Sequence, residues 1–238
     1  MNKFLRYFSR AEKLLWCLSV LLILLSYLLF DRNQPLTLCA SLVGVTSLIF
    51  NAKGNPFGQV LMVVFSLLYG IISYSFAYYG EMITYLGMTM PMAVAALVTW
   101  LKNPYNGNKS EVRINVLRAR EYALLWLLTL LVIAVFYFIL RYFHTANLFL
   151  STLSVTTSFL AVYLTARRSP LFALAYAAND VILILLWTLA SLQDSRYVSV
   201  TACFAAFLAN DLYGHQWHQA VITDIIQNIQ YLTHVLIR

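Results

Sequence analysis

"LKNPYNGNKSEVRINVLRARE", residues 101–121, is the one long polar stretch in an otherwise greasy chain. Of the 238 residues, 61% are hydrophobic and only 11% are charged, and the mean hydropathy is +0.74. A soluble domain lies nearer half apolar and a quarter charged. The composition therefore excludes a soluble fold and indicates a protein that crosses a bilayer many times. Residues 101–121 are where such a chain divides.

A spanning helix needs about 20 mainly apolar residues. Four such runs precede the polar stretch, at 14–30, 35–51, 57–78 and 82–100. Four follow it, at 121–143, 146–166, 170–191 and 196–214. The other connections are short and leave no room for a soluble domain. The basic "MNKFLRYFSRAEK" ahead of the first run resembles a signal peptide. The following "DRNQP" offers no small-residue cleavage site, so 14–30 is expected to stay as a membrane helix. Beyond 215, Val221, Ile222, Ile225, Ile226 and Ile229 fall on one helical face. They predict an amphipathic tail lying on the inner surface or packing on a neighbour.

Eight spans put Arg32, Arg141 and Arg196 on one side and the other thirteen of the 16 Lys and Arg on the opposite side. Seven spans would scramble that split. Basic loops stay cytoplasmic, so both termini are expected inside. The net charge of +7 then belongs to loops and implies no nucleic acid. Cys17, Cys39 and Cys203 all sit in apolar runs, are odd in number and form no CxxC. They are expected to be small buried hydrophobes rather than disulfides or metal ligands. His215 and His218 in "HQWHQ" lack further ligands nearby, so no metal or cofactor is expected.

After the first span come three spans, then one, then three more. Each triplet opens with a basic, Pro-containing loop, "NAKGNP" or "TARRSP". Triplets separated by one span share an orientation, which predicts a parallel repeat about an axis along the membrane normal. The expected fold is an all-α integral membrane protein with eight transmembrane helices, N-in and C-in. Residues 1–34 form a basic segment and extra helix, and 35–100 a first triple-helix repeat. The basic loop and linker helix occupy 101–145, the second repeat 146–217 and the tail 218–238.

Inside the apolar runs stand two matching polar pairs, "AAND" at 177–180 and "LAND" at 208–211. Asp180 and Asp211 are the carboxylates that the hydropathy pattern leaves in the membrane. Such groups are costly there and face a bundle interior or a cavity. At 1.5 Å per residue, Asn179 lies about 13 Å along its helix and Asn210 about 6–10 Å before the inner end of the next. The pairs thus reach similar depth on antiparallel helices. Trp187 lies two turns beyond Asn179, and Tyr213 one turn from Asn210. In the first triplet, Gln59, Ser66, Tyr69 and Ser73 share one side of a helix. Glu81 falls at the opposite membrane face, as a loop charge or a gate at an entrance. Together these residues suggest a midplane cavity for a small, flat, polar and positively charged solute. Aromatic faces would stabilise a cation there by about 0.5–2 kcal/mol. Alternatively, the polar pairs only bond neighbouring helices.

"NAKGNPFGQV" (51–60), "LLYGIISYSFAYYGEMITY" (67–85) and "LANDLYGHQW" (208–217) closely resemble the PnuC family of bacterial nicotinamide riboside transporters. The resemblance runs from Leu36 to Trp217. It implies a SWEET-like fold of three helices, a linking helix and three more, assembled as a homotrimer in the bacterial inner membrane. It implies nicotinamide riboside as the substrate, a cationic pyridinium with a carboxamide and a ribose. Asn179, Asp180, Asn210, Asp211, Tyr213 and Gly214 fall on family-like positions. A Trp usual in the family is missing from "RRSPLFALAYAAND", so ring stacking is expected of Trp187 or of a tyrosine such as Tyr69 or Tyr74. The implied activity is facilitated diffusion by alternating access, drawn forward by intracellular phosphorylation of the riboside. No GxxxxGK[ST] is present, in keeping with transport that uses neither ATP nor an ion gradient. The alternatives are a facilitator of another riboside, sugar or vitamin, a structural membrane protein, or a membrane-embedded enzyme. The last would need Asp180 and Asp211 as its working pair, since no His lies inside a span.

Overall fold

The computed structural model describes residues 7–75 and 79–216. Among them the expected helices follow one another: α1 (Arg10–Phe30), α2 (Pro35–Ala52), α3 (Phe57–Ser75), α4 (Tyr79–Lys102), α5 (Ala119–Tyr142), α6 (Leu148–Ala166), α7 (Phe172–Ser191) and α8 (198–216). Each of α1 to α7 is long and apolar enough to cross a membrane. The predicted amphipathic tail at 218–238 lies outside the described residues, as do Trp217 and His218.

Local chemistry sets the helix boundaries. α1 starts at Arg10, four residues ahead of the apolar run, because a capping box opens it. The Ser9 amide donates to Glu12 Oε2 at 2.7 Å, and the Glu12 amide donates to Ser9 Oγ at 3.2 Å. The earlier start carries Glu12 into the bundle. α2 begins with Pro35, whose missing N–H is harmless in a first turn. α4 holds a π turn at Tyr85–Thr89, where the Met90 amide reaches back to the Tyr85 carbonyl. Pro91 follows; it has no N–H to give, and its ring crowds the carbonyl four residues earlier. A widened turn relieves that clash.

Residues 101–121 are not simply a loop. Strands β1 (Pro104–Tyr105) and β2 (Asn108–Val112) pair as an antiparallel hairpin. Its turn residues Asn106 and Gly107 both have positive φ, 47° and 79°. Asn-Gly is the pair that such two-residue turns favour, and the plain-loop expectation passed over it. The Val112 amide donates to the Gly54 carbonyl at 2.9 Å, and the Asn115 amide to the Arg168 carbonyl at 3.0 Å. Glu121 pairs with Arg167. The basic loops thus meet at one end of the bundle. At the other end Ser199 Oγ donates to Asp31 Oδ2 at 3.2 Å.

α2 packs on α3, α6 on α7, α5 on α6 and α1 on α2, while α4 touches both α3 and α6. One core cluster gathers Phe65, Tyr69, Trp187 and Phe204, and a second gathers Trp100, Phe159 and Phe172. The Trp100 indole N–H donates to the Thr165 carbonyl at 2.9 Å, tying α4 to α6.

Two expectations need correcting. Cys203 is buried, but Cys17 and Cys39 are exposed. In a bilayer an apolar outward face is as well solvated as a core, so apolar neighbours do not imply burial. Asp180 and Asp211 are also not alone at depth: Glu12 is 1% exposed and Glu81 4%. Glu81 is no loop charge, for it sits in the first turn of α4.

Candidate substrate site

α7 and α8 bring the two aspartates together. The carboxyl groups of Asp180 and Asp211 come within hydrogen-bonding reach of each other. They line an internal cavity with Asn179 and with Tyr176, one turn before Asp180. α6 adds Ser158, and the π turn of α4 adds Tyr85 and Thr89. The apolar wall is Phe65 and Met62 from α3 and Phe204 and Phe207 from α8. Both triplets therefore contribute. The space is narrow: about 20 Å³ is open to the centre of a water molecule. That holds about one water, so a larger guest must spread the walls.

Asn179 is held in a fixed orientation. Its Oδ1 accepts from Thr157 Oγ1 at 2.9 Å and from Ser158 Oγ at 3.0 Å. With the oxygen engaged, the amide NH₂ is the group left to donate. The aromatic wall is interlocked. Tyr85 and Tyr69 have ring centres 4.4 Å apart, and Phe65 lies 5.9 Å from Tyr85 and 5.4 Å from Phe207. Trp187 meets Tyr69 edge-on at 6.3 Å and Tyr197 at 5.4 Å. Tyr69 and Trp187 thus stand behind Tyr85, one layer away from the acids.

The other predicted residues are placed elsewhere. Asn210 turns its back on the cavity, and its Nδ2 donates to Ser19 Oγ of α1 at 2.9 Å and to the Ala206 carbonyl at 2.7 Å. Tyr213 donates to Glu12 Oε1 at 3.5 Å, and Glu12 pairs with Lys53 at 3.3 Å. Gln59 donates to Asn51 Oδ1 at 2.8 Å, joining α3 to α2, and Ser66 donates to the Met62 carbonyl. Tyr74 is 63% exposed on the outer surface. Of the predicted set, Asn179, Asp180 and Asp211 reach the cavity. Tyr85, Thr89, Tyr176 and Ser158 were missed, although Tyr176 lies at i−4 from Asp180, a spacing that puts both on one helical face.

The lining is acidic, with hydroxyls and an amide, and it includes no Lys, Arg or His. Two carboxyl groups close together in so narrow a space favour a positive guest, because one cation relieves the repulsion between them. Among the described residues, no cluster of three His, Cys, Asp or Glu forms that would hold a metal.

Comparison with known proteins places the chain in a family. A family model described as "Nicotinamide mononucleotide transporter" matches residues 34–219. The "Nicotinamide riboside transporter PnuC" of Neisseria mucosa is 24% identical over 212 residues, which is 87% of this chain and 80% of that protein. The crystal structure of the vitamin B3 transporter PnuC superposes with a TM-score of 0.79 at 19% identity, covering 91% of this chain and 94% of that one. That likeness is one of fold. The family is one of transporters, not of enzymes. With its family match spanning α2 to α8, this chain is a multi-pass membrane protein and belongs to the nicotinamide mononucleotide transporter family.

Proposed function

We propose that the chain carries nicotinamide riboside across the bacterial inner membrane by facilitated diffusion. The riboside binds between the two triplets, in the cavity of Asp180 and Asp211. The observation that carries this reading is the acid pair in a lining without a basic residue. The riboside is a pyridinium cation, and both carboxyl groups attract it. The mononucleotide adds a phosphate, whose negative charge would be forced against those same carboxyls. The chemistry therefore favours the riboside over the mononucleotide. The Asn179 NH₂ donates to the carboxamide or the ribose, and the rings of Tyr85 and Phe65 take the pyridinium face.

A cavity this narrow must open and close around its guest. In this reading the triplets α2–α4 and α6–α8 form a parallel repeat and rock about the site, with α5 as the link. Pro56 and Pro170 stand at the helix starts that would bend. Both termini lie in the cytoplasm, the chain assembles as a homotrimer, and intracellular phosphorylation traps the product. No ion gradient is needed.

The test is calorimetric titration of the purified protein with riboside, mononucleotide and nicotinamide side by side. The riboside should bind, and the mononucleotide should bind roughly a hundredfold more weakly, about 2.7 kcal/mol. Asp211→Asn should weaken the riboside about tenfold. Equal or tighter binding of the mononucleotide refutes the assignment. In vesicles without a kinase, uptake should stop at equal concentration on both sides, and accumulation beyond that would contradict facilitated diffusion.

A further inference from the structure

A second cavity lies at the end of the bundle away from the basic loops. Glu81 closes its inner end, while Thr145, Asn147, Ser151 and Gln193 supply polar walls and Leu186 an apolar one. No lining residue is shared with the cavity of Asp180 and Asp211. Asn147 and Gln193 are exposed, so the mouth opens outward. Glu81 is 4% exposed, and its Oε2 has no hydrogen-bond partner. A buried carboxylate oxygen aimed into a polar cavity without a partner calls for a ligand. The wall is also built tightly. A Cβ at Gly80 would lie 2.4 Å from Leu140 Cδ2 and 3.2 Å from Thr145 Oγ1, so only glycine lets α4 begin this close to α5.

The two cavities are in series. Tyr85 lines the inner one and lies one helical turn, about 6 Å, beyond Glu81 on α4. Its ring packs on Tyr69, and Tyr69 meets Trp187. Tyr85 thus follows the outer carboxyl along α4 and lines the inner cavity, with the other two rings packed behind it.

We propose that the outer cavity is a capture site for the cationic riboside, where Glu81 selects positive charge before the Tyr85 layer admits the guest. This rests on the riboside reading above. The hydroxyls and amides around Glu81 suit a ribose, and the single carboxylate suits one positive charge. A weak first site facing outward would raise the local concentration of cations without changing the affinity of the inner site.

The experiment compares uptake of the riboside with uptake of its dihydro form, which has nearly the same shape but no ring charge. Glu81→Gln should raise the KM for the cationic form about tenfold and leave that for the dihydro form within twofold. Equilibrium binding at the inner site should change less than twofold. Glu81→Asp, which keeps the charge, should keep the preference for the cation and serves as the control for folding. If the Glu81→Gln protein retains the wild-type ratio of the two substrates, the capture site is overturned while the riboside reading stands. If the wild type binds no riboside by titration, both are overturned.

Discussion

The contact between Glu12 and Lys53 gives a quantitative test of how α1 is attached. Glu12 is 1% exposed, and the Lys53 ammonium lies 3.3 Å from both of its carboxylate oxygens. The Lys53 side chain is 15% exposed, with its ammonium 4.9 Å from the centre of the Tyr7 ring. Lys53→Met keeps most of the aliphatic stem and leaves the buried carboxylate without a countercharge, held only by the Ser9 amide and the Tyr213 hydroxyl, which costs about 3–5 kcal/mol. Glu12→Gln strands an ammonium that still reaches water, so its cost should be nearer 1 kcal/mol. The double variant should resemble Glu12→Gln alone and be more stable than Lys53→Met. A chain of this length loses about 2–4 °C of Tm per kcal/mol. Lys53→Met should therefore lower the melting point in detergent by about 10 °C. A drop under 2 °C, or a double variant whose loss equals the sum of the two singles, would refute the buried-pair reasoning.

Three other outcomes are expected. Asn210→Ala should lower stability by about 1 kcal/mol through lost bonds to Ser19 and Ala206, yet change riboside affinity less than twofold, as melting and titration together would show. Gly44→Ala would put a Cβ 2.3 Å from the Phe207 ring and 3.0 Å from that of Phe65, so it should cost about 1–3 kcal/mol and weaken riboside binding by displacing the cavity wall. Burial lifts the Asp31 carboxyl above its ordinary 3.8, with the bond from Ser199 opposing in part. A raised acid stabilises the fold below its unfolded value, and that stability is lost as pH rises through the folded value. Wild type should therefore lose stability relative to Asp31→Asn as pH climbs from about 3.8, and a melting series showing the opposite slope refutes it.

The spans were legible because a bilayer dictates both their length and their composition, and each predicted helix has a counterpart in the structure. The similar depth of the two Asn-Asp pairs was legible by counting along neighbouring antiparallel helices, but which residue of each pair turns inward was not, and on sequence alone the asparagines are the better candidates. Rotation about a helix axis was harder to read. Asn210 precedes Asp211 by one residue, or 100°, and α1 collects it; no pattern within α8 announces a partner 191 residues away. Tyr74 failed for a related reason. Five residues beyond Tyr69 is 140° around α3, on the outward face. The hairpin was signalled by Asn106-Gly107 but hidden by the expectation that a polar connection is featureless. The π turn was marked by Pro91, whose effect falls on the residues before it.

That π turn also sets the phase of α4. The inward stripe Glu81, Tyr85, Thr89, Ala93 is buried at every fourth position. A regular helix repeats every 3.6 residues, so three steps of four overshoot by about 1.2 residues. A π turn absorbs about one. The wide turn therefore works as a vernier, keeping the outer carboxyl and the inner cavity wall on a single line down the helix. The same sequence wound as an unbroken α-helix would set Glu81 and Thr89 eight steps of about 100° apart, roughly 80° out of line. The two cavities would then no longer be served by the same face.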